Sequence, residues 1–110
     1  MSLQIKWTYI ASQSLSEVLE YTFEKFGTRQ LRKLENRINT SVRRITFFPR
    51  LGKYEKAISE SMGLEYHSVL VIKEIKIYYS ISVDTIYIEY VKNTRMDDNT
   101  MLERINTSIR

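Results

Sequence analysis

At 110 residues with no cysteine, one histidine and a net charge of +4, the chain has the size of a single domain that buries its core without disulfide or thiolate-metal staples. The composition excludes cysteine nucleophiles and cysteine metal sites, and no apolar run approaches the roughly 20 residues that cross a bilayer. No signal peptide is legible, which together with the lack of cysteine fits a reducing cytoplasm.

The charge is unevenly placed. Up to Phe48 the chain carries eight Lys/Arg against four Asp/Glu, and beyond it nine of each, so the whole surplus lies in the first half. Within it Arg29, Arg32, Lys33, Arg37, Arg43 and Arg44 fall on one predicted helix with a single acid, Glu35. A basic helix of this kind attracts phosphates or an acidic protein. Its plainer reading is an internal ion-pair ladder. Glu17, Glu20 and Glu24 form an acidic stripe on the preceding helix that is expected to face Arg29, Lys33, Arg37 and Arg44.

Residues 3 to 9 alternate, with Leu3, Ile5, Trp7 and Tyr9 on one side, and read as a half-buried strand. Ser14 and Glu17 have capping-box spacing, followed by a stripe of Leu15, Val18, Leu19, Thr22 and Phe26, so a first helix is predicted near 12 to 26, ended by Gly27. From Thr28, apolar residues recur at Leu31, Leu34, Ile38, Val42 and Ile45, giving a second helix that stops before Pro49. The short connection through Gly27 implies an antiparallel helical hairpin.

Past Gly52 the pattern turns to β-rich runs at 54 to 58, 64 to 72, 74 to 82 and 85 to 91, with a hairpin connection near Asp84. Ile75, Ile77, Tyr79 and Ile81 share one face, as do Ile86, Ile88 and Tyr90, and both faces are expected to receive the helical hairpin. Tyr78 and Tyr87 alternate away from these positions and are expected to be exposed. In the tail, Met101, Leu102, Ile105 and Ile109 have helical spacing, so 96–110 reads as a short docking helix or a partner-ordered tail. The fold class is α+β: an N-terminal strand, an antiparallel helical hairpin, then a mostly antiparallel twisted sheet, all in one domain spanning 1–110.

The order of these pieces resembles the RelE/ParE family of type II toxin-antitoxin toxins, also called plasmid stabilisation proteins. The likeness is carried by Trp7-Thr8 with Ala11 and Leu15, Tyr21 through Phe26-Gly27, and Phe48-Pro49 through Leu51-Gly52-Lys53. It continues through Glu65-Tyr66-His67-Ser68, Lys76-Ile77-Tyr78-Tyr79, Asp84-Thr85-Ile86-Tyr87 and Asn93-Thr94-Arg95. The resemblance implies a cytoplasmic toxin that inhibits growth and is neutralised by a cognate acidic antitoxin, as a hetero-oligomer or a homodimer, with no cofactor, no metal and no membrane.

Two activities occur on that fold. ParE-like members poison DNA gyrase without catalysis; RelE-like members cut messenger RNA on the ribosome through attack of the ribose 2′-OH. Such cleavage needs a base, an acid and cations on the phosphate, and the nuclease candidates here are Lys53, His67, Lys76 and Arg95. His67 and Lys76 stand where related nucleases often have arginine, and neither supplies arginine's permanent two-pronged phosphate contact. The tail beyond Arg95 has no tyrosine or histidine. A ParE-like, non-enzymatic toxin is therefore the favoured expectation, with the ribonuclease and a degenerate toxin that acts only as a binding partner as alternatives. Arg50, Lys53, Tyr78, Tyr87 and Arg95 are the candidate contacts to antitoxin or target. His67, the lone histidine, reads as an ordinary strand residue with a satisfied hydrogen bond.

Overall fold

The computed structural model describes residues 3–108, in the order β1 (Gln4–Trp7), α1 (Tyr9–Phe26), α2 (Thr28–Phe47), β2 (Lys53–Tyr54), α3 (Lys56–Met62), β3 (Glu65–Ile72), β4 (Ile75–Ile81), β5 (Thr85–Asn93) and α4 (Asp98–Thr107). The strands form one sheet in the order β1-β5-β4-β3-β2. β1 runs parallel to β5, and every other pairing is antiparallel. Ile109, placed by its spacing on the tail's helical stripe, lies outside the described residues.

The first helix begins earlier than its capping-box spacing predicts. Thr8 is the N-cap, its hydroxyl accepting from the Ala11 amide at 3.1 Å and donating to the Ile88 carbonyl at 3.2 Å. Ser14 instead sits inside the helix, buried, where its hydroxyl donates to Ala11 O and accepts from the Val91 amide, both at 2.9 Å. A serine with a glutamate three residues on looks the same in sequence whether it caps a helix or pins one to a strand. Gly27, at φ 86°, ends α1 and starts α2, a left-handed backbone that a residue with a Cβ resists.

α1 and α2 lie on one face of the sheet. Ala11, Leu34, Ile38 and Ile45 pack there against Val71, Ile75, Ile77, Tyr79, Ile86, Ile88 and Val91. The opposite face carries a second core, in which Ile58 of α3 and Met101 and Ile105 of α4 cover Tyr66, Tyr78 and Tyr90. Two sequence expectations fail here. The β4–β5 register slips by one residue, Tyr78 pairing with Tyr90 and Tyr79 with Ile88, so Glu89 is an extra residue in a β-bulge. The bulge sends Tyr90 to the second face and brings Val91 into the first. Tyr78, expected to be exposed, is 1 % exposed because α4 lies over it.

The run 54 to 58 also departs from expectation. Only Lys53 and Tyr54 pair with β3, and the chain then turns into α3, whose Ile58 is buried in the second core with Met62 one turn later packed against it. With only two anchoring apolar residues, a seven-residue helix has too little periodicity to be told from a strand.

Candidate functional site

A groove of 950 Å³ lies at the end of the sheet where α1 and α2 approach the β3–β4 turn. Val18, Tyr21, Leu34, Ile72, Ile75, Val91 and Met96 give it an apolar lining, and Tyr21 and Phe26 remain half exposed. Its walls bear Lys25, Lys33, Arg37, Lys73 and Arg95 against two acids, Glu17 and Glu74. Glu17 is drawn away to Arg104, 3.5 Å distant on α4. An apolar floor with basic walls suits a segment that offers apolar anchors and carboxylates.

A second feature locks the junction after Pro49. The Tyr79 hydroxyl donates to Pro49 O at 2.7 Å and accepts from the Gly52 amide at 3.1 Å. Gly52 O is 3.0 Å from His67 Nδ1, while His67 Nε2 lies 2.8 Å from a Glu65 carboxylate oxygen. The ring stacks on Tyr79 with centroids 5.7 Å apart and meets the edge of Tyr54. Arg50 closes the cluster with two 2.9 Å hydrogen bonds to the two oxygens of Glu65. This two-pronged bond, aided by His67 and opposed only partly by burial, holds the Glu65 carboxyl below its ordinary value of 4.5.

A carboxylate with a lowered folded-state pKa contributes stability that is complete above its unfolded value and is lost as the pH falls through the folded one. The melting temperature of the protein is therefore expected to exceed that of a Glu65→Gln variant at pH 7, and the gap to close as the pH is lowered past 4.5. A gap that persists at full size in strong acid would contradict this role.

A third cluster lies beneath α4. Lys92 is buried, with Nζ 2.7 Å from Asp98 Oδ1 and 5.3 Å from the Tyr78 ring centroid. The Tyr78 hydroxyl donates to the same oxygen at 3.1 Å. Burial pushes the Tyr78 hydroxyl well above its ordinary value, and the Asp98 charge adds to the effect. For Asp98, burial acts upward but is outweighed by the hydrogen bond and charge of Lys92, so its carboxyl titrates low.

The four nuclease candidates do not converge. Lys53 and Lys76 share a hollow of 430 Å³ with Arg44, Leu51 and Leu70 along the edge of β3, and Lys76 lies 3.9 Å from Glu55. His67 is buried on the helix-hairpin side with both ring nitrogens engaged, so it offers no free nitrogen to a substrate. Arg95 stands in the large groove. Of the contact candidates, Arg50 is taken up by Glu65, Tyr78 is buried and Tyr87 is half buried on β5.

The expected ladder between the first two helices is also absent: among the described residues no carboxylate of α1 pairs with a cation of α2. Of the groove residues, Lys33 and Arg37 stood out in the sequence only as members of the basic helix, and Tyr21 and Lys25 were not singled out as contacts. Their signal is a mixed one, an aromatic and cations bordering the apolar stripe, which a lone helix shows equally well when it is merely amphipathic. Among the described residues no three His, Asp or Glu side chains gather as a metal site, and no helix is long and apolar enough to cross a membrane.

No family model and no curated protein matches the chain. Among solved structures it is similar to a chain of the chromosomal ParDE toxin-antitoxin system from P. aeruginosa, with a TM-score of 0.64 and 17% sequence identity over 84% of this chain and 96% of that one. The architecture is thus the α+β fold of that class: an N-terminal strand, a helical hairpin and a mostly antiparallel sheet. The particular fold is ParE-like, as the ordered motifs imply.

Proposed function

We propose that the protein is the toxin of a type II toxin-antitoxin pair, ParE-like and non-enzymatic, acting in the cytoplasm by poisoning DNA gyrase. The carrying observation is the likeness over 84% of the chain to a member of a ParDE system. The large groove supports the partner half of this reading. An acidic amphipathic segment of an antitoxin would set apolar side chains on Val18, Leu34 and Ile75 and carboxylates against Lys33, Arg37 and Arg95. The separation of Arg95 from the hollow that Lys53 and Lys76 share, and the engagement of both His67 ring nitrogens, support the absence of a cleavage step, because acid, base and phosphate-binding cations must meet around one phosphodiester. A gene pair of this kind stabilises the plasmid that carries it, since loss of the antitoxin releases the toxin and growth stops.

The protein is expected to form a stable complex with the acidic protein encoded beside it. The Lys33→Glu, Arg37→Glu double variant is expected to weaken that complex on the order of a hundredfold, read by calorimetric titration, because two attractive contacts become repulsive. A complex of undiminished affinity would remove the groove from the interface, and no complex at all would remove the toxin reading.

One observation favours ribosome-dependent cleavage of messenger RNA as a second reading: Lys53 and Lys76 share a hollow whose lining includes no carboxylate. On that reading the Lys53→Ala, Lys76→Ala variant loses toxicity; on the gyrase reading it keeps it.

A further inference from the structure

The outward face of α2 is unlike the rest of the surface. Arg29, Arg32, Lys33, Arg37, Arg43 and Arg44 are all exposed, and none of them has a carboxylate within 4.0 Å among the described residues. At roughly 100° per residue the six fall within an arc of about 140°, centred on the side away from the buried Leu34, Ile38 and Ile45. They extend over about 22 Å of helix axis at 1.5 Å per residue. Glu35, the one acid of α2, projects outside that arc.

Six cations held on one helix face repel one another and, among the described residues, have no carboxylate within 4.0 Å to offset that repulsion, so the stripe suits an external polyanion. The exposed residues of α2 from Thr28 to Arg44 include no apolar side chain; between the cations stand Asn36, Asn39 and Thr40. A protein interface needs an apolar, desolvated centre. Phosphate contacts need cations and small hydrogen-bond donors, which is what this face presents. The face carries no aromatic ring among its cations, so it fits the phosphates of a duplex better than the stacked bases of a single strand.

We infer that the outward face of α2 binds the sugar-phosphate backbone of double-stranded nucleic acid without reading its sequence. This goes beyond the toxin reading and does not depend on it. Three of the cations, Arg29, Arg32 and Arg43, line neither hollow, so they separate the two surfaces experimentally.

The test is fluorescence anisotropy of the full-length protein on a labelled mixed-sequence DNA duplex of about 20 base pairs across a salt series. Binding at 50 mM salt is expected to weaken about a hundredfold by 200 mM, as about four neutralised phosphates require. The Arg29→Ala, Arg32→Ala, Arg43→Ala variant is expected to flatten the log-log salt slope by about 2.7, at about 0.9 per lost contact, with an unchanged thermal melt. Replacing the same three residues with lysine keeps the slope, since lysine serves a phosphate as a point charge. Absence of binding at 50 mM, a slope unaltered by the alanine variant, or tighter binding to the single strand would each overturn the inference. Retained duplex binding by the Lys33→Glu, Arg37→Glu variant, even at reduced affinity, with the antitoxin complex weakened about a hundredfold would show the two surfaces to be separable, as expected.

Discussion

Gly52→Ala is expected to cost about 3 kcal/mol of folding stability and to lower the melting temperature by roughly 12 °C. A Cβ built on Gly52 would stand 2.5 Å from Ser68 O, 2.7 Å from the Tyr79 hydroxyl and 2.9 Å from Val69 Cγ1. The nearest of these is β3 backbone and cannot swing aside. The second is the hydroxyl that holds both the Gly52 amide and Pro49 O, so making room for a methyl group also strains the bonds that fix the helix-to-sheet junction. The His67 ring, held by Gly52 O on one side and Glu65 on the other, shifts with it. Urea and thermal denaturation check the value; a variant within about 0.5 kcal/mol of the parent would show that the junction is not the tight point of the fold.

The second large effect is expected at α4. Removing one partner of a buried pair leaves the other uncompensated, which costs more than replacing a charge with an apolar residue of similar length. Asp98→Ala strands the Lys92 ammonium under α4 against the Tyr78 ring, and removes the acceptor of the Tyr78 hydroxyl as well. A loss of about 2 kcal/mol is expected, below the 3 to 5 of a fully enclosed pair because Asp98 is half exposed. Lys92→Met keeps the bulk and is expected to cost less than about 1 kcal/mol. Amide exchange in α4 should accelerate in the first variant and stay near the parent in the second. Unchanged exchange in both variants would mean that the helix is held by Met101 and Ile105 without help from the polar cluster.

Much of the fold is legible where a long period meets a clear stop. The apolar series from Leu31 to Ile45 followed by Pro49 defines α2, and the alternation in 75 to 81 defines β4. What escapes the sequence is set by contacts between distant residues. Ser14 resembles a cap until its buried partner, the Val91 amide 77 positions away, is seen. Tyr90 belongs to the same apolar alternation as Ile86 and Ile88 until the bulge at Glu89 turns it over. The acids of α1 have good spacing for a ladder, but spacing on each helix does not give the rotation of one helix against the other, and Glu17 pairs with α4 instead.

The site was legible only in pieces. Arg50 and Lys53 flank the junction as the sequence has them, yet Arg50 is bound by Glu65 and Lys53 joins Lys76 at the edge of β3. Arg95 proves to share a groove with Lys33 and Arg37 of α2, which sequence distance conceals. His67 does have the satisfied hydrogen bonds of an ordinary strand residue, and its burial between two tyrosines explains why it is poorly placed for acid-base work.

The most direct measurement is induced expression in a bacterial host without the neighbouring gene, with growth, plasmid supercoiling and transcript integrity followed together. Growth arrest with altered supercoiling and intact transcripts is expected of a ParE-like gyrase poison. Arrest with codon-phased cuts in messenger RNA, or unimpeded growth, would contradict that assignment.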